Sequence, residues 1–497
     1  MNRFRSGLAA LLGGLVVAAT ASPAQALERL VLRMPFLETS IRINFGDARS
    51  VEDLIRASPD LAELQSVSDG QLLGFLRTVF LTPLPLQTEK FLRGASGQPL
   101  LEQALAAATY FVDLQGVEID TSGKTLTDTL SRAARKGEPN ILGFLRELPG
   151  DEASLDLSRV SDAANRLKGN LEQGVALVKA GPSATVDPAL RKPLSGRWKR
   201  EMLQLSVPHR PESLRLISLL PSAPNGRLVV ISHGLWDEPE SFEGWGEVLA
   251  EHGYTVLLPD HPGSNYRQQE LMLAGDRPPP GPEELRLRPL DVSAVIDAVE
   301  EAKLLAGRSL NTDSVGIVGH SWGATTTLQL AGATPTDRKL NDRCGDLKAP
   351  ERNISWVLQC SWLSGIKMAG LADSRVKAVV AVSPPLRLLF EPSSADRLEA
   401  KLLLVSGSRD WVVPSGPEAI RPMSETGAAE KGHRLVLVDG ADHFSLRSFR
   451  GEAQPALMGP LMLGWLNEQL EVPGSPRFSQ GGWGDQQIQM VDVSERL

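Results

Sequence analysis

The stretch that decides the fold is Val315-Gly316-Ile317-Val318-Gly319-His320-Ser321-Trp322-Gly323-Ala324. A short apolar run leads into a serine with a glycine two residues to each side, and a helix-like sequence continues to Leu330. A strand that turns sharply into a helix holds such a serine in a strained conformation with its hydroxyl exposed, and a Cβ at either glycine would collide across the turn. The stretch therefore predicts an α/β protein with Ser321 as a nucleophile at the edge of its sheet.

A serine hydroxyl needs a base to take its proton and a third group to orient that base. In folds built on this turn, the acid and then the histidine follow the serine along the chain. A buried-strand run at 402–405 leads to Asp410, and the next such run at 435–438 leads to His443. Because parallel strands carry their sites at their carboxyl ends, we expect Ser321, Asp410 and His443 to act together.

Two further carboxylates, Asp439 and Asp442, are alternatives to Asp410 as the orienting acid. Both lie beside His443 in sequence, and from there a side chain folds back onto the Nδ1 of the imidazole only awkwardly. Asp410 is therefore the predicted acid.

A tetrahedral intermediate needs two hydrogen-bond donors for its oxyanion. The backbone N–H of Trp322, the residue after the nucleophile, supplies one. The second should come from the loop Ser232-His233-Gly234-Leu235, which follows the strand run 227–231. We assign this donor to the backbone N–H of Leu235, because Gly234 lets the chain turn that group inward.

Three segments resemble the α/β-hydrolases of the platelet-activating-factor acetylhydrolase and dienelactone-hydrolase-like group: Ser232 to Leu235, Asp260-His261-Pro262-Gly263-Ser264-Asn265 and the serine pentapeptide. Arg288-Pro289-Leu290-Asp291 also matches that group, and the similarity covers roughly residues 200 to 470. The resemblance implies hydrolysis of carboxylic esters through a serine acyl-enzyme. Dienelactone hydrolases proper use a cysteine nucleophile, whereas this chain carries Ser321.

Residues 1–26 are typical of a general-secretion signal peptide, with Arg3 and Arg5, an apolar stretch at 8–19 and Ala24-Gln25-Ala26 as a cleavage site. An uncleaved N-terminal anchor is the alternative. No later run approaches the ~20 apolar residues of a spanning helix. We therefore expect cleavage, export to the periplasm or the extracellular space, and no transmembrane segment in the mature chain.

The formal net charge of −8, with scattered arginines, argues against nucleic-acid binding. The two cysteines, Cys344 and Cys360, favour a disulfide in an exported chain, although two buried thiols are the alternative. No histidine or cysteine companions occur at metal-ligand spacing, so we expect neither a metal nor another cofactor.

The chain divides into a signal peptide at 1–26, a mainly helical N-terminal domain at 27–180, a linker at 181–195, a catalytic domain at 196–472 and a flexible tail at 473–497. The catalytic domain should hold a mostly parallel, doubly wound sheet of eight strands, an α/β-hydrolase fold. The helical region could form a bundle, a lid or a docking surface.

Trp236 and Trp411 each adjoin a predicted site residue and are candidates for an apolar pocket, although they could equally pack the loops. The expected activity is ester hydrolysis on a small-molecule or lipid ester. The alternatives are a serine peptidase or amidase with the same machinery, and an inactive binding or scaffold protein.

Overall fold

A computed structural model describes residues 27–34, 39–45, 48, 50–68, 71–83, 87–115, 120–181, 188–191, 194–452, 456–478, 483 and 488–497. The predicted signal peptide at 1–26 lies outside these residues. The chain forms two compact units, one of residues up to 165 together with 269–281, and one of residues 166–268 together with 282–497.

The first unit contains a four-stranded sheet in the order β2-β1-β4-β3, in which β1 pairs antiparallel with β2 and parallel with β4. Its strands are β1 (Arg29–Met34), β2 (Thr39–Asn44), β3 (Val112–Gln115) and β4 (Glu152–Asp156). Its helices are α1 (Val51–Ala57), α2 (Pro59–Val67), α3 (Gln71–Phe80), α4 (Gln87–Ala95), α5 (Pro99–Ala108), α6 (Lys124–Arg135) and α7 (Ile141–Glu147).

The prediction of a mainly helical domain is therefore incomplete, because this unit has both helices and strands. β1 and β2 form an antiparallel pair that precedes the helices. β3 and β4 escaped detection because each has only four or five residues and a mixed polar sequence. Helices and sheet share one core, in which Phe45 and Phe80 meet edge to face with ring centroids 6.3 Å apart.

The second unit is built on a sheet in which the described residues form nine strands, in the order β13-β12-β11-β10-β9-β7-β8-β6-β5. The six strands from β12 to β8 in this order run parallel, and β13, β6 and β5 are antiparallel to their neighbours. The strands are β5 (Trp198–Leu205), β6 (Leu214–Pro221), β7 (Arg227–Ser232), β8 (Thr255–Pro259), β9 (Asn311–His320), β10 (Val376–Val382), β11 (Lys401–Gly407), β12 (Arg434–Val438) and β13 (Met490–Asp492).

Helices cover both faces of this sheet, which explains why its central strands are continuous apolar runs. The remaining helices, of which α8 and α10 are divided between the two units, are α8 (Leu157–Lys179), α9 (Glu243–Glu251), α10 (Tyr266–Leu273), α11 (Glu284–Glu300), α12 (Trp322–Leu330), α13 (Arg338–Arg343), α14 (Ser355–Ser361), α15 (Arg421–Glu425) and α16 (Gly459–Gln469). Short 3₁₀ or π turns lie at Pro188–Leu190, Pro239–Phe242, Leu363–Met368, Pro392–Arg397, Gly416–Ile420 and Ser494–Arg496. α11 and α12 pack on one face, and α9 and α16 on the other. The predicted α/β-hydrolase architecture is confirmed, but the described residues form nine strands where eight were expected, since β13 adds an antiparallel strand at one edge.

The predicted domain boundaries differ from the compact units at both ends of the catalytic domain. The division falls at residue 165, inside α8, whose later residues pack on the second unit: Gly174 lies against Ser415, and Arg166 donates to the carbonyl of Leu347 at 3.1 Å. In the predicted linker, Leu190 is buried in the core of the second unit. Helical periodicity alone does not show which core a helix joins.

The predicted flexible tail at 473–497 contains β13, which pairs with β12 at the edge of the sheet. Met490, Val491 and Val493 are buried there, as is Trp483. An unpaired edge strand offers free N–H and C=O groups, and this short apolar segment satisfies them. The surrounding glycine, serine and glutamine residues obscured the strand in the sequence.

Across the described residues, every helix is too short or too polar to cross a bilayer.

Cys344 and Cys360 form a disulfide, with their Sγ atoms 2.03 Å apart and their Cα atoms 5.8 Å apart. The segment between them is also anchored by the buried carboxylate of Glu418. This carboxylate accepts hydrogen bonds from the side chains of Asn353 at 2.9 Å and Gln359 at 3.1 Å. The disulfide and the carboxylate together hold this segment to the catalytic domain.

Removing the disulfide with the double substitution Cys344→Ser and Cys360→Ser should lower the free energy of unfolding by about 3 kcal/mol, because the closed loop regains its freedom in the unfolded chain. Thermal unfolding with and without reductant measures this. The midpoint of the wild-type protein should fall on reduction, and that of the double variant should not move. Two alkylatable thiols in the intact mass of non-reduced, exported protein would contradict the bridge.

Candidate functional site

The serine turn has the strained geometry that its glycines require. Ser321 follows β9 with φ 53° and ψ −121°, a left-handed region that a non-glycine residue rarely occupies, and its N–H donates to the carbonyl of Val382 at 2.9 Å. A Cβ at Gly319 would lie 2.2 Å from the carbonyl oxygen of Gly323, and one at Gly323 would lie 2.0 Å from that of Ser232. The close approach of three backbone segments thus determines where the serine sits.

Asp410 and His443 are brought together at the ends of β11 and β12. Oδ2 of Asp410 lies 2.9 Å from Nδ1 of His443, and Oδ1 accepts the backbone N–H groups of Val412 and Val413 at 3.0 and 2.8 Å. A carboxylate only accepts hydrogen bonds, so Nδ1 carries the proton and Nε2 is left as the basic nitrogen. This is the tautomer that a general base needs.

The alternative acid, Asp442, is engaged elsewhere. Its Oδ1 accepts the backbone N–H groups of Phe444 and Ser445 at 2.9 and 2.8 Å, and so closes the turn that presents His443. Asp439 likewise has no described contact with the imidazole. The geometry favours Asp410 over both.

His320 links the serine turn to the loop that carries His443. Its Nε2 lies 2.9 Å from the carbonyl oxygen of His443, and the two rings have centroids 4.7 Å apart. Burial, followed by the charge of His443, lowers the pKa of His320 to about 3, so this ring stays neutral at physiological pH. The described contacts do not include a hydrogen bond between the Ser321 hydroxyl and His443. In unliganded enzymes this contact is often long and shortens only when substrate binds.

The loop after β7 runs directly against Ser321. A Cβ placed on Gly234 would lie 3.3 Å from Cβ of Ser321, so this position brings backbone close to the serine side chain. Trp236 has φ 55°, and its N–H donates to the carbonyl of Ser264 at 2.7 Å, which closes the loop. Half-buried Leu235 lies between these two fixed points. The structure therefore places both predicted oxyanion residues, Leu235 and Trp322, in segments that adjoin Ser321.

A chain of buried side chains supports this loop from below. Ser232 Oγ lies 2.9 Å from Nε2 of His261, and Nδ1 of His261 lies 2.7 Å from Oδ2 of Asp291. His233 donates from Nδ1 to the carbonyl of Gly234 at 2.7 Å and accepts the N–H of His261 on Nε2 at 3.0 Å. Both histidines thus brace the loop from inside the domain.

Charged groups surround these histidines. Arg210 donates to Asp291 at 2.7 Å and to Glu284 at 3.0 Å. Burial lowers the pKa of His261 to about 3 against the opposing effect of Asp291. Burial would raise the pKa of Asp260, but nearby groups, among them His233 at 3.5 Å and Asn265, which donates at 2.8 Å, lower it to about 2. Sequence reasoning assigned no roles to Asp260, His261 or Asp291. The resembling segments at 232–235, 260–265 and 288–291 nevertheless contain most residues of this network.

The two predicted pocket tryptophans lie in different environments. Trp236 is half-buried, and its indole N–H donates to Gln268 at 2.9 Å. Trp411 is 42% exposed and faces Phe444, with ring centroids 6.3 Å apart. Phe444 in turn meets the ring of His443 edge-on, with centroids 5.3 Å apart. Trp411 and Phe444 thus form an exposed aromatic surface beside the catalytic candidates.

No cluster of ligating side chains suited to a metal ion occurs within the described part of the chain.

The buried histidines predict that the second unit loses stability in acid. The pKa of His433 is lowered to about 4, first by burial and then by Lys401 and Lys431, and that of His261 to about 3. The unfolded chain therefore binds more protons than the folded one as the pH falls below about 6.5. We expect stability to decrease between about pH 6.5 and pH 5, by up to about 1.4 kcal/mol per histidine for each pH unit.

Thermal unfolding at about pH 7 and pH 5 measures this loss. His433→Asn is the matched control, because an asparagine oxygen can still accept the N–H of Leu402, as Nδ1 of His433 does at 3.1 Å, but does not titrate. This variant should lose less stability on acidification than the wild-type protein. An equal loss would show that His433 does not contribute.

A comparison with known protein families agrees with the fold of the second unit. Residues 228–461 match the sequence profile of the alpha/beta hydrolase family, a span that runs from β7 to α16 and includes every catalytic candidate. No curated protein matches the chain. The family match and the mostly parallel sheet together show that this chain contains an alpha/beta hydrolase domain, which supports a hydrolase.

Proposed function

We propose that this protein is a serine hydrolase of carboxylic esters, similar to the platelet-activating-factor acetylhydrolase group. The observation that carries the proposal is the pairing of His443 with Asp410 at the carboxyl edge of the sheet that also holds the strained Ser321. The three side chains have the order and the strand positions of a Ser-Asp-His triad. Burial of Asp410 and His443, at 0% and 4% exposure, shields their hydrogen bond from water.

In this mechanism, Ser321 Oγ attacks the ester carbonyl while Nε2 of His443 takes its proton. Asp410 holds the imidazole in the required tautomer and stabilises the imidazolium. The backbone N–H groups of Leu235 and Trp322 bind the oxyanion of the tetrahedral intermediate. His443 then protonates the leaving alcohol. In the second half, His443 takes a proton from a water that attacks the acyl carbon, and it returns that proton to Ser321 Oγ as the acyl–oxygen bond breaks and the acid leaves.

We also propose that the protein is exported through a cleaved signal peptide. The support is the sequence of residues 1–26 together with the disulfide, because disulfides form and persist in oxidising compartments. The intact-mass measurement that counts free thiols also reports whether the mature chain begins near residue 27.

Ser321→Ala should lower the hydrolysis of a short p-nitrophenyl ester by several orders of magnitude without changing the thermal midpoint, because removal of one hydroxyl abolishes acylation and leaves no large cavity. Ser314→Ala is the matched control, since Ser314 lies on the same strand, away from its carboxyl end. A Ser321→Ala variant that kept a tenth of the wild-type rate would refute the assignment. A p-nitroanilide with the same acyl group tests for a peptidase or amidase, and wild-type protein inactive on both substrates would indicate a binding protein.

Asp410→Asn and Asp442→Asn separate the two possible acids. Asp410→Asn should reduce kcat by about 10⁴-fold, because an asparagine favours the wrong tautomer of His443. Asp442→Asn should have a small effect, since its amide oxygen can still accept the N–H groups of Phe444 and Ser445. The ratio of the two kcat values is the measurement, and the reverse order would assign the catalytic role to Asp442.

A further inference from the structure

Arg288 contacts both segments that carry the predicted oxyanion donors. It lies on α11 and is completely buried, although arginine is seldom found so deep in a protein. Its Nη2 donates to the carbonyl oxygen of His233, two residues before Leu235. Its guanidinium carbon lies 5.2 Å from the ring centroid of Trp322, within the range of a cation–π contact. One side chain thus connects the loop after β7 with the first residue of the helix after Ser321.

Stability alone does not explain this residue. Nε and Nη1 of Arg288 have no hydrogen-bond partner among the described residues, so a buried cation retains only part of its hydrogen bonding. Burial lowers the pKa of Arg288 to about 9 against the charges of Glu284 and Asp291, which still leaves it charged at neutral pH. An incompletely paired buried charge destabilises a fold, and an apolar side chain of similar length would fill the space at a smaller cost.

The helix that carries Arg288 holds the loop at a second point. Asp291, one turn further along α11, holds His261, which in turn reaches the hydroxyl of Ser232. Ser232, His261 and Asp291 have the residue types of a catalytic triad, but all three are 0% exposed, so no substrate can reach them. Their arrangement instead fixes Ser232 at the end of β7, while Arg288 fixes the carbonyl of the next residue, His233.

We propose that Arg288 is a positioning residue of the oxyanion hole, which holds the loop from His233 to Leu235 and Trp322 in the arrangement that stabilises the transition state. This inference rests on the proposed serine hydrolase function. The carbonyl of His233 shares a rigid peptide plane with the N–H of Gly234, and the carbonyl of Gly234, held by Nδ1 of His233, shares the next plane with the N–H of Leu235. Fixing both carbonyls limits the directions available to the Leu235 amide. The contact of the guanidinium group with the indole of Trp322 holds the backbone N–H of Trp322 in place relative to that of Leu235. Arg288 contacts the loop and the indole rather than the reacting atoms.

The test compares Arg288→Met and Arg288→Lys with the wild-type protein on a short p-nitrophenyl ester. Arg288→Met should lower kcat by about a hundredfold, close to the effect of losing one oxyanion donor, and should change KM by less than about threefold. Arg288→Lys should recover part of kcat, because an ammonium group can donate to the carbonyl but cannot lie flat on the indole. A residue needed only for stability would lower the thermal midpoint and leave kcat unchanged.

Arg375→Met is the matched control. Arg375 is a half-buried arginine of the same domain, paired with Asp373 and Asp297 at 2.7 Å. It precedes the amino end of β10, away from the proposed catalytic edge. We expect this variant to lose stability and to keep the wild-type kcat. An equal loss of kcat in Arg375→Met and Arg288→Met would overturn the specific role of Arg288.

Hydrogen–deuterium exchange provides a readout that does not depend on turnover. In Arg288→Met, the amides of residues 233–236 should exchange faster while those of β10 and β11 remain protected. If the wild-type protein hydrolysed no ester, the proposed function would fail, and the exchange of this loop would still decide whether Arg288 positions it. Unchanged exchange together with unchanged kcat would overturn the inference. If Arg288→Met does not fold, the same two measurements on Arg288→Lys decide it.

Discussion

The catalytic domain depends on the close contact of three backbone segments around Ser321. Neither Gly319 nor Gly323 can carry a side chain, because the carbonyl oxygens of Gly323 and Ser232 occupy the positions that a Cβ would need. This contact forces Ser321 into its left-handed conformation and brings the loop after β7 against it. Strain of this kind persists only where the surrounding packing over-determines it. Two covered faces of a mostly parallel sheet provide that packing.

The polar groups beneath the loop extend this constraint into the domain. His233, His261 and Asp291 connect the end of β7 to α11, and Arg288 connects the same helix to Trp322. Buried polar networks specify one arrangement when they are well satisfied, and they cost stability where they are not. The incomplete hydrogen bonding of Arg288 therefore lowers the stability of the folded domain, and Arg288 lies beside the proposed oxyanion hole.

Two parts of the chain are held by contacts other than those around Ser321: the segment between Cys344 and Cys360, and the first compact unit. The disulfide and Glu418 hold that segment to the catalytic domain through covalent and buried polar contacts. The first unit has its own core around Phe45 and Phe80 and its own small sheet. The catalytic candidates lie in the second unit, so any role of the first unit in the reaction is separate from the proposed triad.

Local sequence was enough to predict the serine turn, the apolar strands that precede Asp410 and His443, and the pairing of the two cysteines. Glycine spacing and runs of buried residues are short-range signals, and a parallel sheet brings the ends of its strands to one edge. The preference for Asp410 over Asp442 also follows from local geometry, because Asp442 is adjacent to His443 and closes its own turn.

Long-range packing determined the features that the sequence did not show. β13 forms because the edge of β12 needs a partner, and α8 is divided between the two compact units, which its periodicity does not indicate. β3 and β4 are too short and too polar to be recognised in the sequence without the strands that they pair with. The segment from Arg288 to Asp291 matches the hydrolase group in sequence, but its roles become visible only where the fold places both side chains under the loop after β7. Their roles depend on contacts between residues about 30 to 80 positions apart, which no local pattern encodes.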